Sequence, residues 1–164
     1  MKELLQQYAG YNVWANNILF ERIRKLSEEK IQQEIVSSFP SVYKTIVHMW
    51  QAENIWWQRL QLVENISPLS ETFKGSFADA VAGLALQSRQ WADWVNGAND
   101  TQLTDVFAFV RNKEPFTMKV NDMLLHLFNH ATFHRGQLVT LLRQLGETDN
   151  IPSTDFSTYT RLKN

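Results

Sequence analysis

Three of the four histidines in this 164-residue sequence follow one another at four-residue intervals, as His126, His130 and His134 in the stretch HLFNHATFHRGQ. On an α-helix, residues four apart diverge by only about 40° and rise by about 6 Å, so neighbouring members of this series can face one ion. His126 and His134 would lie about 12 Å apart along the axis, whereas metal to imidazole distances are about 2 Å. A single ion can therefore take only one neighbouring pair from this helix.

A third ligand has to come from another part of the chain, and His48 is the remaining histidine. It lies in another helical segment, which bundle packing would place opposite the helix that carries the other three histidines. We predict that the pair is His130 and His134, because Gly136 and Gln137 follow closely. Gln137 lies three residues beyond His134 on nearly the same face, where it could support a ligand or contact substrate. Three neutral imidazoles leave coordination positions open to water or substrate, which is typical of a catalytic metal site.

Three further residues are candidates for a role beside the metal, and each has a structural alternative. His126 would lie one turn away, either as a half-buried histidine bonded to a carbonyl or as a supporting or alternate ligand. Glu53, five residues after His48, would act as a general base or orient a ligand, or would form a cap or a salt bridge. Asn12 interrupts an apolar stripe, so we expect its amide to bond to another helix or, alternatively, to contact substrate. The sequence does not single out a catalytic residue.

Neighbouring residues lead to structural expectations. Arg135 would point about 100° away from the ligand face, so we expect an ion pair, with Asp155 as the candidate partner. Gly136 costs about 1 kcal/mol relative to alanine inside a helix, which predicts that a neighbouring group approaches it closely. Most of the tryptophans are expected in the core, although Trp56 could form the wall of a pocket.

Composition excludes several classes of function. The formal net charge is −1 and the charges are interspersed, so we expect no nucleic-acid partner. Cysteine is absent, which leaves histidine and carboxylate as the strong metal ligands. No segment approaches the roughly 20 apolar residues that a membrane span needs, and the N-terminus lacks a secretion signal. We therefore expect a cytoplasmic protein with no membrane partner and a small-molecule substrate.

Hydrophobic periodicity predicts an all-α fold. Four amphipathic helices are expected, at about residues 2–25, 41–63, 76–97 and 120–145. Ser27, Ser41 and Ser76 are the expected N-caps of helical segments, and Gly97 and Gly146 the expected stops. Residues 107–120 alternate apolar and polar around a turn-like RNKEP, which favours a short β-hairpin before the last helix. We predict a single domain over residues 1–164, an up-and-down-like four-helix bundle with a long crossover, and an ordered or semi-ordered tail.

The motifs resemble those of a known family. NHATFHRGQ is similar to the H-x-x-x-H-R-G-Q motif of the DinB/YfiT-like superfamily of bacterial metalloproteins. YNVWANNILF resembles the first-helix pattern of that family, and TIVHMWQAENIWW resembles the second-helix pattern that contributes a histidine. The late PSTDF resembles the P-x-T-D near the end of family members. The resemblance therefore runs along nearly the whole chain.

This resemblance implies a four-helix bundle that binds one divalent metal, most often zinc or nickel, through His48, His130 and His134. Family members include thiol-dependent transferases and isomerases that use bacillithiol, mycothiol or glutathione, and others are assigned as hydrolases. Two reactions follow as expectations. One is transfer of a low-molecular-weight thiol to an electrophilic carbon, and the other is hydrolysis by metal-activated water. A bundle that binds metal or ligand without turnover is the third expectation, and since the family includes dimers, a homodimer is also considered.

Overall fold

The structure is a computed structural model that describes residues 1–111 and 113–163, apart from the side chain of Ser70. Four long helices form the bundle: α1 (Lys2–Ile23), α3 (Val42–Leu60), α5 (Phe77–Gly97) and α7 (Val120–Gln144). Shorter helices are α2 (Glu28–Gln32), α4 (Leu69–Thr72), α6 (Asp100–Thr104) and α8 (Phe156–Arg161). Strands β1 (Val106–Arg111) and β2 (Glu114–Lys119) complete the fold. The predicted four-helix bundle is confirmed.

Local sequence signals define where the helices begin and end. Ser27 and Ser41 accept hydrogen bonds from backbone amides three residues ahead, and Ser76 forms a reciprocal capping box with Asp79. Gly146 follows Leu145, the C-cap of α7, and has a φ of +77°, which is the left-handed conformation that glycine adopts just past helix ends. The third long helix ends as predicted at Gly97, but Gly97 is its last helical residue, and the extended backbone of Ala98 breaks the helix.

The hairpin is also confirmed. Strands β1 and β2 pair antiparallel, with Phe107 opposite Met118 and Phe109 opposite Phe116. Phe107 is buried against the bundle and the rest of the hairpin is more exposed. The hairpin leads directly into α7, because Val120 begins that helix where β2 ends.

Two apolar clusters fill the bundle, one toward each end. The first joins the end of α1 and of α7 to the start of α3 and of α5, around residues such as Phe20, Ile46, Leu84 and Leu142. Because α1 and α7 end there while α3 and α5 begin there, α3 and α5 run in the same direction. Residues 61–76, which include α4, must therefore travel back along the length of the bundle.

The packing of the long helices places the two histidine-bearing helices side by side. Helices α1 and α3 each pack against both α5 and α7, so α1 and α3 lie across the bundle diagonal from one another. The tail is ordered as α8, which packs on α1 through Tyr159, and the Tyr11 hydroxyl donates a hydrogen bond to the carbonyl of Thr154 at 2.7 Å. None of the described helices combines the length and the apolar run that crossing a bilayer requires.

Candidate metal centre

Three histidines converge in the groove between α3 and α7. The Nε2 atom of His130 lies 3.0 Å from Nε2 of His134 and 3.3 Å from Nε2 of His48. The three ligand nitrogens all lie within 4.8 Å of one another. His130 and His134 share one face of α7 because they are four residues apart, and the packing of α3 against α7 brings in His48. The structure thus brings together the three residues that the sequence predicts as ligands.

The chemistry of this donor set fits a divalent ion. Nitrogens bound at about 2.1 Å around a tetrahedral zinc ion would be about 3.4 Å apart, close to the separations found here. Burial lowers the pKa of His48 to about 4 and that of His130 to about 3, and the neighbouring histidines add to both shifts. Burial also lowers the pKa of His134, against the opposing effect of its bond to Gln137. All three imidazoles are therefore neutral near pH 7, the state in which histidine binds metals.

Gln137 fixes the orientation of His134. Its Oε1 accepts a hydrogen bond from Nδ1 of His134 at 2.7 Å, which leaves the lone pair of His134 on Nε2, facing His130. The amide nitrogen of Gln137 donates to the hydroxyl of Ser38 at 3.3 Å, which supports this amide orientation. Gln137 thus contacts His134 directly, and its role beside a metal or a substrate stays a prediction.

Phe39 fixes the ring of His48 in a similar way, through packing. The two rings are stacked with their centroids 3.9 Å apart. Phe39 also meets His134 edge-on at 5.6 Å, so one aromatic ring borders two of the three histidines. Phe39 was not among the predicted site residues, because it lies in the SSFPS loop before α3, where no periodic pattern singles it out.

The fourth histidine lies beside the cluster and does not join it. The ring of His126 is 6.0 Å from that of His130 and meets Trp56 edge-on at 5.4 Å. Burial lowers its pKa, and the nearby Arg111 and Arg59 add to the shift. Among the described residues His126 has no carbonyl hydrogen bond, so the structure favours neither of the two specific roles expected for it. Trp56 does line a cavity together with His126, as its sequence position allowed.

Asn12 and Glu53 meet one another in a buried network of polar side chains. The amide nitrogen of Asn12 donates to Oε1 of Glu53 at 3.0 Å, which confirms the expected bond between helices. The Ser88 hydroxyl lies 2.9 Å from both carboxyl oxygens of Glu53, and Asn16 donates to Ser88 at 3.1 Å. One guanidinium nitrogen of Arg135 donates to the amide oxygens of Asn12 and Asn16, at 2.7 and 3.0 Å. These five side chains form a closed ring that joins all four long helices.

The network gives Glu53 a structural environment that differs from that of a solvent-exposed base. Burial raises its pKa to about 7, and the bonds from Asn12 and Ser88 and the charge of Arg135 oppose that rise. Each asparagine turns its oxygen toward Arg135 and its nitrogen toward Glu53 or Ser88, so the dipoles of the ring point from the cation to the carboxyl group. Within the described residues Glu53 forms neither the cap nor the salt bridge expected as the alternative to a site role, and its carboxyl group is bonded instead to Asn12 and Ser88.

Two structural expectations were wrong. Arg135 forms no ion pair with Asp155 within the described part of the chain. It is buried, bonds to Asn12 and Asn16, and packs over the ring of Tyr11 at 5.0 Å. The helix turns Arg135 inward toward α1, where it bonds to asparagines, and the tail carrying Asp155 packs on α1 through Tyr159. Gly136 has no neighbouring heavy atom within 4 Å of the position that a Cβ would take, so nothing approaches it closely.

Ser88 and Asn16 were missed, although the sequence contains a signal for both. Asn16 follows Asn12 by four residues on the same buried face of α1. Ser88 occupies the apolar stripe of α5 between Leu84 and Trp91. Polar residues at core positions of neighbouring helices predict that they bond to one another, because an unpaired buried polar group costs about 1–3 kcal/mol.

Comparison with known proteins agrees with these observations. A family model described as the DinB family matches residues 1–163. The chain belongs to the DinB family. Protein DinB of Bacillus subtilis (strain 168) is 28% identical over 171 residues, which cover 91% of this chain and 89% of the relative.

Two solved structures share the fold of this DinB-family chain. A DinB-like protein from Bacillus cereus ATCC 10987 superposes with a TM-score of 0.66 at 21% identity, covering 92% of this chain and 95% of that one. YfiT from Bacillus subtilis superposes with a TM-score of 0.65 at 14% identity, covering 89% and 90%. YfiT is described as a probable metal-dependent hydrolase with an unusual four-helix bundle topology. At these identities the similarity establishes the fold.

Proposed function

We propose that this DinB-family chain is a divalent-metal-dependent enzyme that transfers a low-molecular-weight thiol to an electrophilic carbon. His48, His130 and His134 would hold the metal, with zinc or nickel as the expected ion. When bound, the ion would supply Lewis acidity, which favours the thiolate form of a thiol near neutral pH. In the reaction the thiol loses its proton to solvent, a sulfur to carbon bond forms, and the leaving group departs from that carbon.

The observation that carries this proposal is the presence of a separate cavity on each side of the histidines. A cavity of about 360 Å³ adjoins His48. Apolar and aromatic groups, including Phe39, Val47 and Phe73, make up most of its lining, and Lys44 and Gln51 complete it. A second cavity of about 260 Å³ adjoins His130 and is lined by Trp56 and by cationic side chains. Two organic reactants of different character would each have a place beside the metal ligands, whereas hydrolysis needs room for only one.

The side chains of the protein would position the metal and exclude water. Gln137 holds the His134 tautomer whose Nε2 lone pair faces the cluster, and Phe39 covers the ring of His48. The chain has no cysteine that would compete with an external thiol for the ion. Zinc with three protein ligands keeps a position for a further ligand, which suits a thiol that must be exchanged at each turnover.

Hydrolysis is the second candidate, and the description of YfiT as a probable metal-dependent hydrolase favours it. The same three histidines would then serve a bound water in place of a thiol. Against this, no carboxylate among the described residues belongs to the histidine cluster, and Glu53 is held in the buried network. A hydrolase would therefore need a general base other than Glu53.

An activity comparison separates these candidates. Metal-loaded, tag-free protein is incubated with bacillithiol, mycothiol or glutathione and monochlorobimane, and separately with generic ester substrates without thiol. We expect thiol-dependent conjugation that disappears in His134→Ala and is retained in Asn129→Ala, which changes an exposed side chain on the same helix outside the histidine cluster and both cavities. Ester cleavage without thiol would replace the transferase proposal with the hydrolase. Absence of both activities in metal-loaded protein would support binding without turnover.

A further inference from the structure

The smaller cavity beside His130 contains two arginines, which the sequence analysis did not identify. Arg59 extends from the end of α3 and Arg111 from the end of β1, and both line the cavity with His126 and His130. The two guanidinium groups are close enough for Arg111 to lower the pKa of Arg59, in addition to the larger effect of burial. Like charges repel, so the protein places two cations together at a free-energy cost unless an anion lies between them.

No carboxylate of the described residues neutralises this pair. The ion pairs in the described part of the chain involve Arg22, Arg24, Lys30 and Lys44 as cations, and neither Arg59 nor Arg111. Glu114 lies opposite Arg111 in the hairpin register, yet the two form no ion pair.

Arg59 is held in place by its neighbours. Its guanidinium lies over the ring of Trp56 at 4.6 Å and over that of Phe109 at 4.7 Å. Its Nε atom is buried and has no hydrogen-bond partner among the residues that the structure describes. A buried N–H without an acceptor is unfavourable, and a bound oxyanion would supply that acceptor. An arginine fixed between two rings is also preorganised, so it loses little conformational freedom when a ligand binds.

We propose that Arg59 and Arg111 form an oxyanion site that anchors a small organic acid or phosphate ester and directs the rest of that molecule toward His130. This inference rests on the proposed function, since it assigns one reactant of the three-histidine centre to an anionic class. The cavity of about 260 Å³ is slightly smaller than the roughly 300–1,000 Å³ found for small-molecule pockets. The anchored reactant is therefore a compact one. Guanidinium groups recognise carboxylate and phosphate alike, through paired hydrogen bonds.

The test is calorimetric titration of the protein with succinate and, separately, with inorganic phosphate, at constant ionic strength. The variants are Arg59→Met and Arg111→Met, in which methionine keeps much of the apolar stem. Lys113→Met is the matched control, because it removes the same charge from the same hairpin outside the cavity. We expect each arginine variant to weaken binding by roughly tenfold or more, and the control by less than twofold. Preference for one probe identifies the anion as a carboxylate or a phosphate.

The same titrations are repeated with metal-stripped protein, since an anion can also bind a metal ion directly. Arginine-dependent binding should persist after stripping. Loss of all binding on stripping, absence of binding to wild type, or equal weakening by all three substitutions would overturn the oxyanion site. Arg111 is exposed, so Arg111→Met keeps the test decisive if Arg59→Met does not fold.

These titrations do not depend on turnover. Arginine-dependent binding without thiol transfer would therefore refute the proposed reaction and leave the oxyanion site intact. Thiol transfer by the wild type, together with normal anion binding by the arginine variants, would refute the oxyanion site and leave the proposed reaction intact.

Discussion

Replacing Arg135 with methionine removes the guanidinium that links α7 to α1 in the buried network. Two amide oxygens, on Asn12 and Asn16, lose their donor, and an unsatisfied buried acceptor costs about 1–3 kcal/mol. The buried carboxyl group of Glu53 also loses the nearby positive charge. Because two such acceptors lose their donor, we expect the free energy of unfolding to fall by about 2–6 kcal/mol. This is a large part of the roughly 5–15 kcal/mol that stabilises a typical domain.

Urea unfolding of the metal-free protein, followed by circular dichroism, measures this change. Arg143→Met is the control, because Arg143 is an exposed arginine on the same helix and should change stability by no more than about 0.5 kcal/mol. Adding Glu53→Gln to Arg135→Met removes both charged groups, and we expect it to recover part of the loss. An Arg135→Met protein within about 1 kcal/mol of wild type would refute the proposed role of the network.

Three further predictions concern Glu53, Gln137 and two helical glycines. The pKa of Glu53 is about 7 in the folded protein and 4.5 ordinarily, so between these pH values the folded protein binds a proton that the unfolded chain has lost. The contribution of Glu53 to stability therefore falls as the pH rises from 4.5 to 7. The glutamine of Glu53→Gln does not titrate. In urea unfolding, the free energy of unfolding of this variant relative to wild type should therefore increase by about 3 kcal/mol between pH 4.5 and 7. A difference that stays constant with pH would contradict the raised pKa of Glu53. Gln137→Leu frees the His134 ring and should weaken zinc binding by about 10–100-fold in a chelator competition, whereas unchanged affinity would show that the hydrogen bond is dispensable. Thermal unfolding should show stability changes of opposite sign for two glycine substitutions. Gly136→Ala should raise the free energy of unfolding by about 1 kcal/mol, because Gly136 occupies an open helical position. Gly83→Ala should lose about 1–3 kcal/mol, because its Cβ would lie 2.3 Å from the Trp50 ring, and equal effects would contradict this packing.

Helical periodicity and residue spacing were sufficient to predict the long helices and the proximity of His130 and His134. The stripes on the four long helices, together with Ser27, Ser41 and Ser76 as caps, locate the bundle to within a few residues. The four-residue spacing of His130 and His134 fixes their common face without tertiary information. The resemblance to the family then supported the same place for His48 on a neighbouring helix.

Features that depend on the directions and rotations of the helices could not be read from the sequence. The parallel course of α3 and α5 follows from a connection whose path no local signal specifies. The Asp155 prediction failed because opposite charge alone does not show which face of α7 meets α1. Likewise, the pairing of Arg59 with Arg111 depends on how the hairpin folds against the end of α3.

The most direct measurement of the metal centre is a calorimetric titration of zinc, and then nickel, into metal-stripped protein that carries no histidine tag. We expect one site per chain in wild type. His48→Ala, His130→Ala and His134→Ala should each weaken binding by at least 100-fold, or roughly 3 kcal/mol. His126→Ala should retain one site with nearly unchanged affinity, because His126 lies outside the cluster. Undiminished stoichiometric binding in the His48 and His134 variants would contradict convergence of these imidazoles on one ion.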